Sequence, residues 1–173
     1  MARIIKHRAV IQDSWQLLEG DPLGSLPFRG DVIVPLALWA RERDTLAFRL
    51  GRVGVWLEAD ADPATIAQDL ARLGLVAVRI GSATDGRAYS LARLLRERHG
   101  YRGELRAIGA VLRDQLYYLS RCGFDAFALR SDQDSGQALA ALDDFSEAYQ
   151  ASVERPDPLF RRRQEALLRR KAG

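Results

Sequence analysis

Cysteine is nearly missing from this chain. Cys122 is the single one in 173 residues, so no internal disulfide can form, and a lone thiol fits a reducing compartment. Histidine is as scarce: His7 and His99 stand far apart, and with one cysteine they give no zinc-ligand spacing. No apolar run approaches the ~20 residues that span a bilayer. The start, Met1-Ala2-Arg3 leading into a strand-like run, shows no secretory leader, so a cytoplasmic protein away from the membrane is expected. No GxGxxG or GxxxxGK[ST] stretch is present, because Gly51, Gly54, Gly100 and Gly103 have neither the spacing nor the strand–turn–helix setting. No nucleophile motif supports a Ser/His/Asp triad. No metal or cofactor is therefore expected, and no catalytic residue can be assigned from motifs.

Charge of one sign is also lacking. The net charge is +3, and the segment 151–173 holds 7 basic and 3 acidic residues. The other 150 residues sum to −1. A basic tail on a neutral body makes nucleic acid a poor expectation despite a pI near 9.3. Self-association is left open.

What is present is an ordinary globular composition, 47% hydrophobic and 28% charged, long enough for one domain over 1–150. The tail over 151–173 is rich in proline and arginine. Arg3 to Leu18 predicts two short strands or a hairpin with Asp13-Ser14 near a turn. Gly20 to Gly30 predicts a loop. Strands are then predicted over 31–34, 53–57, 75–80, 105–108 and 124–129. Helical patterns follow them over 36–47, 62–73, 89–99, 111–122 and 136–149, the last with Leu139, Leu142, Phe145 and Tyr149 facing inward. Asp62-Pro63 is an N-cap acceptor followed by proline in the first turn. About five βα units imply an α/β fold with a mainly parallel sheet, either an incomplete TIM-like barrel or an open doubly wound sheet.

The densest stretch is Asp85–Phe127, which packs helices and strands without gaps. Arg79 in VAVRIG and Arg106 in ELRAIG are unusual, because a guanidinium in an apolar strand must be paired or face a ligand. Partners for an ion pair are Glu58, Asp85 or Glu104. The alternative is an anion site at the carboxyl ends of the strands, where such sheets bind ligands. Arg79, Arg87 and Arg106 are the anion-binding candidates, since a planar donor fork suits sulfite, sulfate, phosphate or carboxylate. Glu58 and Asp85 are the acid–base candidates, and Asp85 is also placed to cap a helix. Cys122, beside Arg121 and before Gly123, reads as a small apolar residue under a helix end.

Four runs carry a family resemblance: GVWLEADADP, TDGRAYSLARLLRERHGYRGELRAIG, VLRDQLYYLSRCGFDAFAL and FSEAYQ. Together they resemble a proteobacterial family of unknown function, encoded beside assimilatory sulfite reductase and commonly labelled an oxidoreductase involved in sulfite reduction. The resemblance extends over 32–150. Two positions depart from it. Ile80-Gly81-Ser82-Ala83-Thr84 replaces an aromatic FPxFxDGR-type lead into Asp85-Gly86-Arg87, and Ala110 replaces an acidic residue. The resemblance implies an accessory protein of sulfur assimilation with sulfite reductase, or another enzyme of that pathway, as partner. One cysteine does not suit sirohaem or iron–sulfur ligation, so the oxidoreductase label does not follow from the residues. The other reading is a small-anion-binding enzyme or sensor built on the three arginines.

Overall fold

The computed structural model describes residues 2–20 and 26–172. Residues 21–25 of the expected 20–30 loop lie outside them. Among the described residues eight strands form one sheet in the order β2-β1-β8-β7-β6-β5-β4-β3. They are β1 (Arg3–Lys6), β2 (Ala9–Gln12), β3 (Trp15–Leu17), β4 (Asp31–Pro35), β5 (Val53–Leu57), β6 (Leu75–Ile80), β7 (Glu104–Gly109) and β8 (Ala126–Phe127). The helices are α1 (Leu36–Ala47), α2 (Arg87–Arg93), α3 (Leu116–Arg121), α4 (Ser135–Ala138) and α5 (Leu159–Ala172).

The sheet is mixed and curls into a half barrel. Strands β3 to β8 run parallel to one another. Strand β1 is antiparallel to both β2 and β8. This corrects the expected succession of five βα units in a mainly parallel sheet. The N-terminal hairpin docks on the last strand, because β1 pairs Ile5 with Phe127 and Lys6 with Ala126. Only Asp13 and Ser14 separate the two edge strands β2 and β3. Two linking residues hold the ends of those strands within about 11 Å, the reach of three Cα steps.

Strand alternation sorts the residues into two layers. Val32, Val34, Val55, Leu57, Val76, Val78, Leu105 and Ala107 join the large core under the helices. Ile33, Leu75, Ala77 and Ile108 form a second, small core on the concave face with Trp15, Trp56 and Ala128. The same alternation puts Arg79, Glu104 and Arg106 on the concave side.

Three expected helices are shorter than their patterns, the one at 111–122 reduced to α3 behind a 3-10 turn at Arg113–Gln115. At 62–73 the cap is real: Ala64 N donates to Asp62 Oδ1 at 2.9 Å. The chain then makes only 3-10 turns at Pro63–Ile66 and Leu70–Arg72. Asp69 is buried in this segment, accepting from Trp39 Nε1 at 3.0 Å and pairing with Arg43 at 3.5 Å. That polar anchor on α1 competes with a regular helix. The pattern at 136–149 gives α4 and a 3-10 turn, Leu139–Asp143. Asp143 and Asp144 sit where a continuing helix would carry them near its negative end. Phe145 and Tyr149 are consequently exposed, not inward-facing.

Candidate functional site

The expected site lies on the concave face and at the carboxyl ends of β5, β6 and β7. Arg106 is 2% exposed and stands level with Ala77 of β6. Its Nε donates to Glu104 Oε1 at 2.7 Å, and its Nη1 donates to Asp13 Oδ2 at 2.8 Å. Lys6 Nζ holds the other oxygen of Glu104 at 2.7 Å. Two cations and two carboxylates thus form one compensated buried network, with hydrogen bonds on every partner.

Arg79 lies two positions further along β6, level with Ile108. Its guanidinium stacks 4.3 Å from the Trp56 ring centre. Nη2 donates to Glu19 at 2.8 Å, while Nε stands 3.8 Å from Glu58. That Nε is enclosed and makes no hydrogen bond. Trp56 is fixed in turn, because its indole N–H donates to Leu18 O at 2.9 Å. Gly109 borders the site with φ 89°, and a Cβ there would come 2.7 Å from Ile80 O and 3.3 Å from Arg79 Cγ. Only glycine accepts both demands.

Asp85 and Arg87 form a separate, exposed pair before α2. Arg87 Nη2 donates to Asp85 Oδ2 at 2.8 Å and Nε to Oδ1 at 3.0 Å. Asp85 also receives the backbone N–H of Arg87 at 3.0 Å, but Gly86 occupies the cap position of α2 and the helix has no side-chain cap, so Asp85 is not the expected helix cap. Asp60 approaches Arg87 at 3.4 Å. The side-chain hydrogen bond from Arg87, joined by the backbone N–H, holds the Asp85 carboxyl down at about 2. Such a carboxylate stays ionised near neutrality and is a poor proton donor.

The five candidates thus fall into three places. Glu58 meets Arg79, Asp85 meets Arg87, and Arg106 sits apart in its own network. Sequence reasoning missed Asp13 and Glu19. Both come from the segment after the hairpin, 93 and 60 residues from the arginines they bind, and no local pattern signals such a partner. Counting every carboxylate in contact, the three arginines meet Asp13, Glu19, Glu58, Asp60, Asp85 and Glu104. The local balance is negative even with Lys6. Cys122 is buried at the end of α3, and desolvation pushes its thiol pKa up. Among the described residues no group of three or more His, Cys, Asp or Glu side chains is placed for a metal ion. No helix there is long and apolar enough to cross a membrane.

Residues 54–160 match the profile of a family described as bacterial protein of unknown function, DUF934. No curated protein matches the chain.

Proposed function

We infer that this chain, which belongs to that bacterial family of unknown function, is an accessory protein of sulfur assimilation. It acts with or beside sulfite reductase and carries no redox cofactor of its own. The link to sulfite reduction comes from the four sequence runs resembling proteins encoded beside that enzyme. The structural observation that supports a partner-binding role is α5. Of its described side chains, all but Leu159 and Arg162 are exposed. Phe160, Leu167 and Leu168 are among them, and their spacing of i, i+7 and i+8 places them on one helical face. Arginines flank that face. A basic, apolar-striped helix so weakly held by its own body suits a groove on another protein.

The test is capture and growth. Tagged full-length chain should bring down sulfite reductase from cells growing on sulfate. Phe160→Glu with Leu167→Glu should reduce that capture while the fold survives. If the reductase never co-purifies, and deletion leaves growth on sulfate as sole sulfur source unchanged, the reading fails.

One observation favours a second reading, a small-anion site at the strand ends. The Arg79 Nε is enclosed and unbonded beside Trp56, so an acceptor is missing from an otherwise arranged guanidinium. Sulfite, sulfate and phosphate should then each be tried in thermal melts. An anion at 100 times its dissociation constant would add about 2.7 kcal/mol of stability. The negative local balance argues the other way, and an absence of any shift would remove this reading.

A further inference from the structure

Far from those arginines, a cavity of about 410 Å³ opens between α3, the segment 142–155 and the start of α5. Its size lies in the range of small-molecule sites, about 300–1,000 Å³. Four arginines reach it from four separate segments: Arg8 from the β1–β2 turn, Arg121 from the end of α3, Arg155 from the coil and Arg162 from α5. Two carboxylates, Asp143 and Glu154, share the wall, so the lining is cationic.

The arginines are unevenly neutralised. Arg8 pairs with Asp143, and Arg162 pairs with Glu147 at 2.6 Å. Arg121 instead donates to a carbonyl, Gln150 O, at 2.8 Å. Arg155 donates to Ser146 O at 3.3 Å, with Glu147 no nearer than 3.9 Å. The Arg162 Nε is enclosed and has no acceptor. Donors therefore remain to be satisfied in this wall, and a bound acceptor would satisfy them.

The turn that supplies Arg8 adds a second observation. His7 and Arg8 have φ of 48° and 61°. A two-residue hairpin turn of this shape favours Asn-Gly, and side chains there carry a conformational cost. The backbone bears that cost at the position that reaches the cavity.

Beside the cavity lies a shallower depression of about 450 Å³ that shares Tyr117, Arg121 and Phe145 and adds Tyr149. The rings of Tyr117 and Phe145 are 4.9 Å apart and tilted by 52°. Phe145 is 63% exposed and Tyr149 70%, so aromatic surface is open to a flat ring. Arginine forks match phosphate oxygens bidentately, and aromatic faces stack nucleobases.

We propose that this composite groove binds a nucleoside phosphate, with the phosphate held by Arg121, Arg155 and Arg162 and the base laid on the Phe145–Tyr149 shelf. Arg121, at the junction of the two depressions, sets the distance between the parts. Arg162 puts one wall of the site on α5, but Phe160, Leu167 and Leu168, the residues assigned to the partner, lie outside its lining.

Titration calorimetry of the full chain with adenosine 5′-monophosphate, adenosine and inorganic phosphate tests it. The monophosphate should bind saturably, and each fragment should bind at least about tenfold more weakly, a difference of about 1.4 kcal/mol. Arg121→Gln and Phe145→Ser should each weaken the monophosphate by a similar factor. Phe145→Ser alters a side chain that is mostly in solvent, so its fold is secure even if the arginine variant melts early. Arg52→Gln, whose arginine pairs with Asp31 elsewhere, should bind as the parent does. Failure of the monophosphate to bind, equal affinity for adenosine, or full binding by a folded Phe145→Ser would each overturn the proposal. So would a short single-stranded RNA that binds far more tightly than the monomer, which would make the groove a strand-binding surface.

Discussion

Arg106 shows how one buried charge is tolerated. Its side chain and the carboxylate of Glu104 are nearly sealed from water, with Asp13 closing the other side. Arg106→Met keeps the length and removes the charge, leaving Asp13 without its cation while Lys6 still holds Glu104. Breaking a buried pair typically costs about 3–5 kcal/mol, and the surviving Lys6 contact puts the expectation at the lower end. Urea unfolding of parent and variant measures this, and an unchanged midpoint would remove the structural role. Asp85 makes a different prediction. Its pKa is depressed to about 2, below the roughly 3.9 of an unfolded aspartate. Its contribution to stability is therefore present above the unfolded value and disappears as pH falls through about 2. In an NMR titration, Arg87→Gln should return the Asp85 midpoint towards the unfolded value. Glu104 was one of three partners the sequence offered for the strand arginines, and its place two residues from Arg106 puts both on one face of β7. Glu19 and Asp13 were not, because parity along a strand says nothing about which distant segment crosses it.

At the scale of elements, the strands were more legible than the helices, although the run at 124–129 gives only the two-residue β8. LVAVRI gave β6 to the residue, since an uninterrupted apolar run between Gly74 and Gly81 has few other readings. The helical patterns at 62–73 and 136–149 overreached. Spacing marks which side chains are buried, and short 3-10 turns bury Ile66, Leu70, Ala141 and Leu142 as well as a helix would. The β1–β2 turn carries its own prediction. Changing His7-Arg8 to Asn-Gly relieves two positive-φ side chains, each costing about 1–3 kcal/mol. It forfeits the exposed Arg8–Asp143 pair, worth about 0–1 kcal/mol. Thermal melts should show a net gain of at least about 1 kcal/mol, and a loss would mean that Arg8 holds the turn by its ion pair.

For the whole molecule, the tie at Asp13-Ser14 matters most. The hairpin completes one end of the sheet against β8, and the very next strand completes the other end against β4. Removing β1 and β2 would strip the antiparallel edge, uncover Phe127 and withdraw Lys6 from the buried network in a single step. A chain lacking residues 1–12 is expected to lose cooperative unfolding, read as a broadened denaturant transition. A sharp transition with the parent slope would show that the parallel strands stand alone.

That arrangement also sets a schedule on the ribosome. Lys6 pairs with Ala126, so β1 waits for β8 while 120 more residues are made. At synthesis rates of about 5–20 residues per second, that is roughly 6–24 s. During this interval Ile4 and Ile5, buried in the finished protein, have only their hairpin partner β2 beside them. An apolar hairpin made ahead of its docking strand is a handle that a chaperone can hold until β8 arrives.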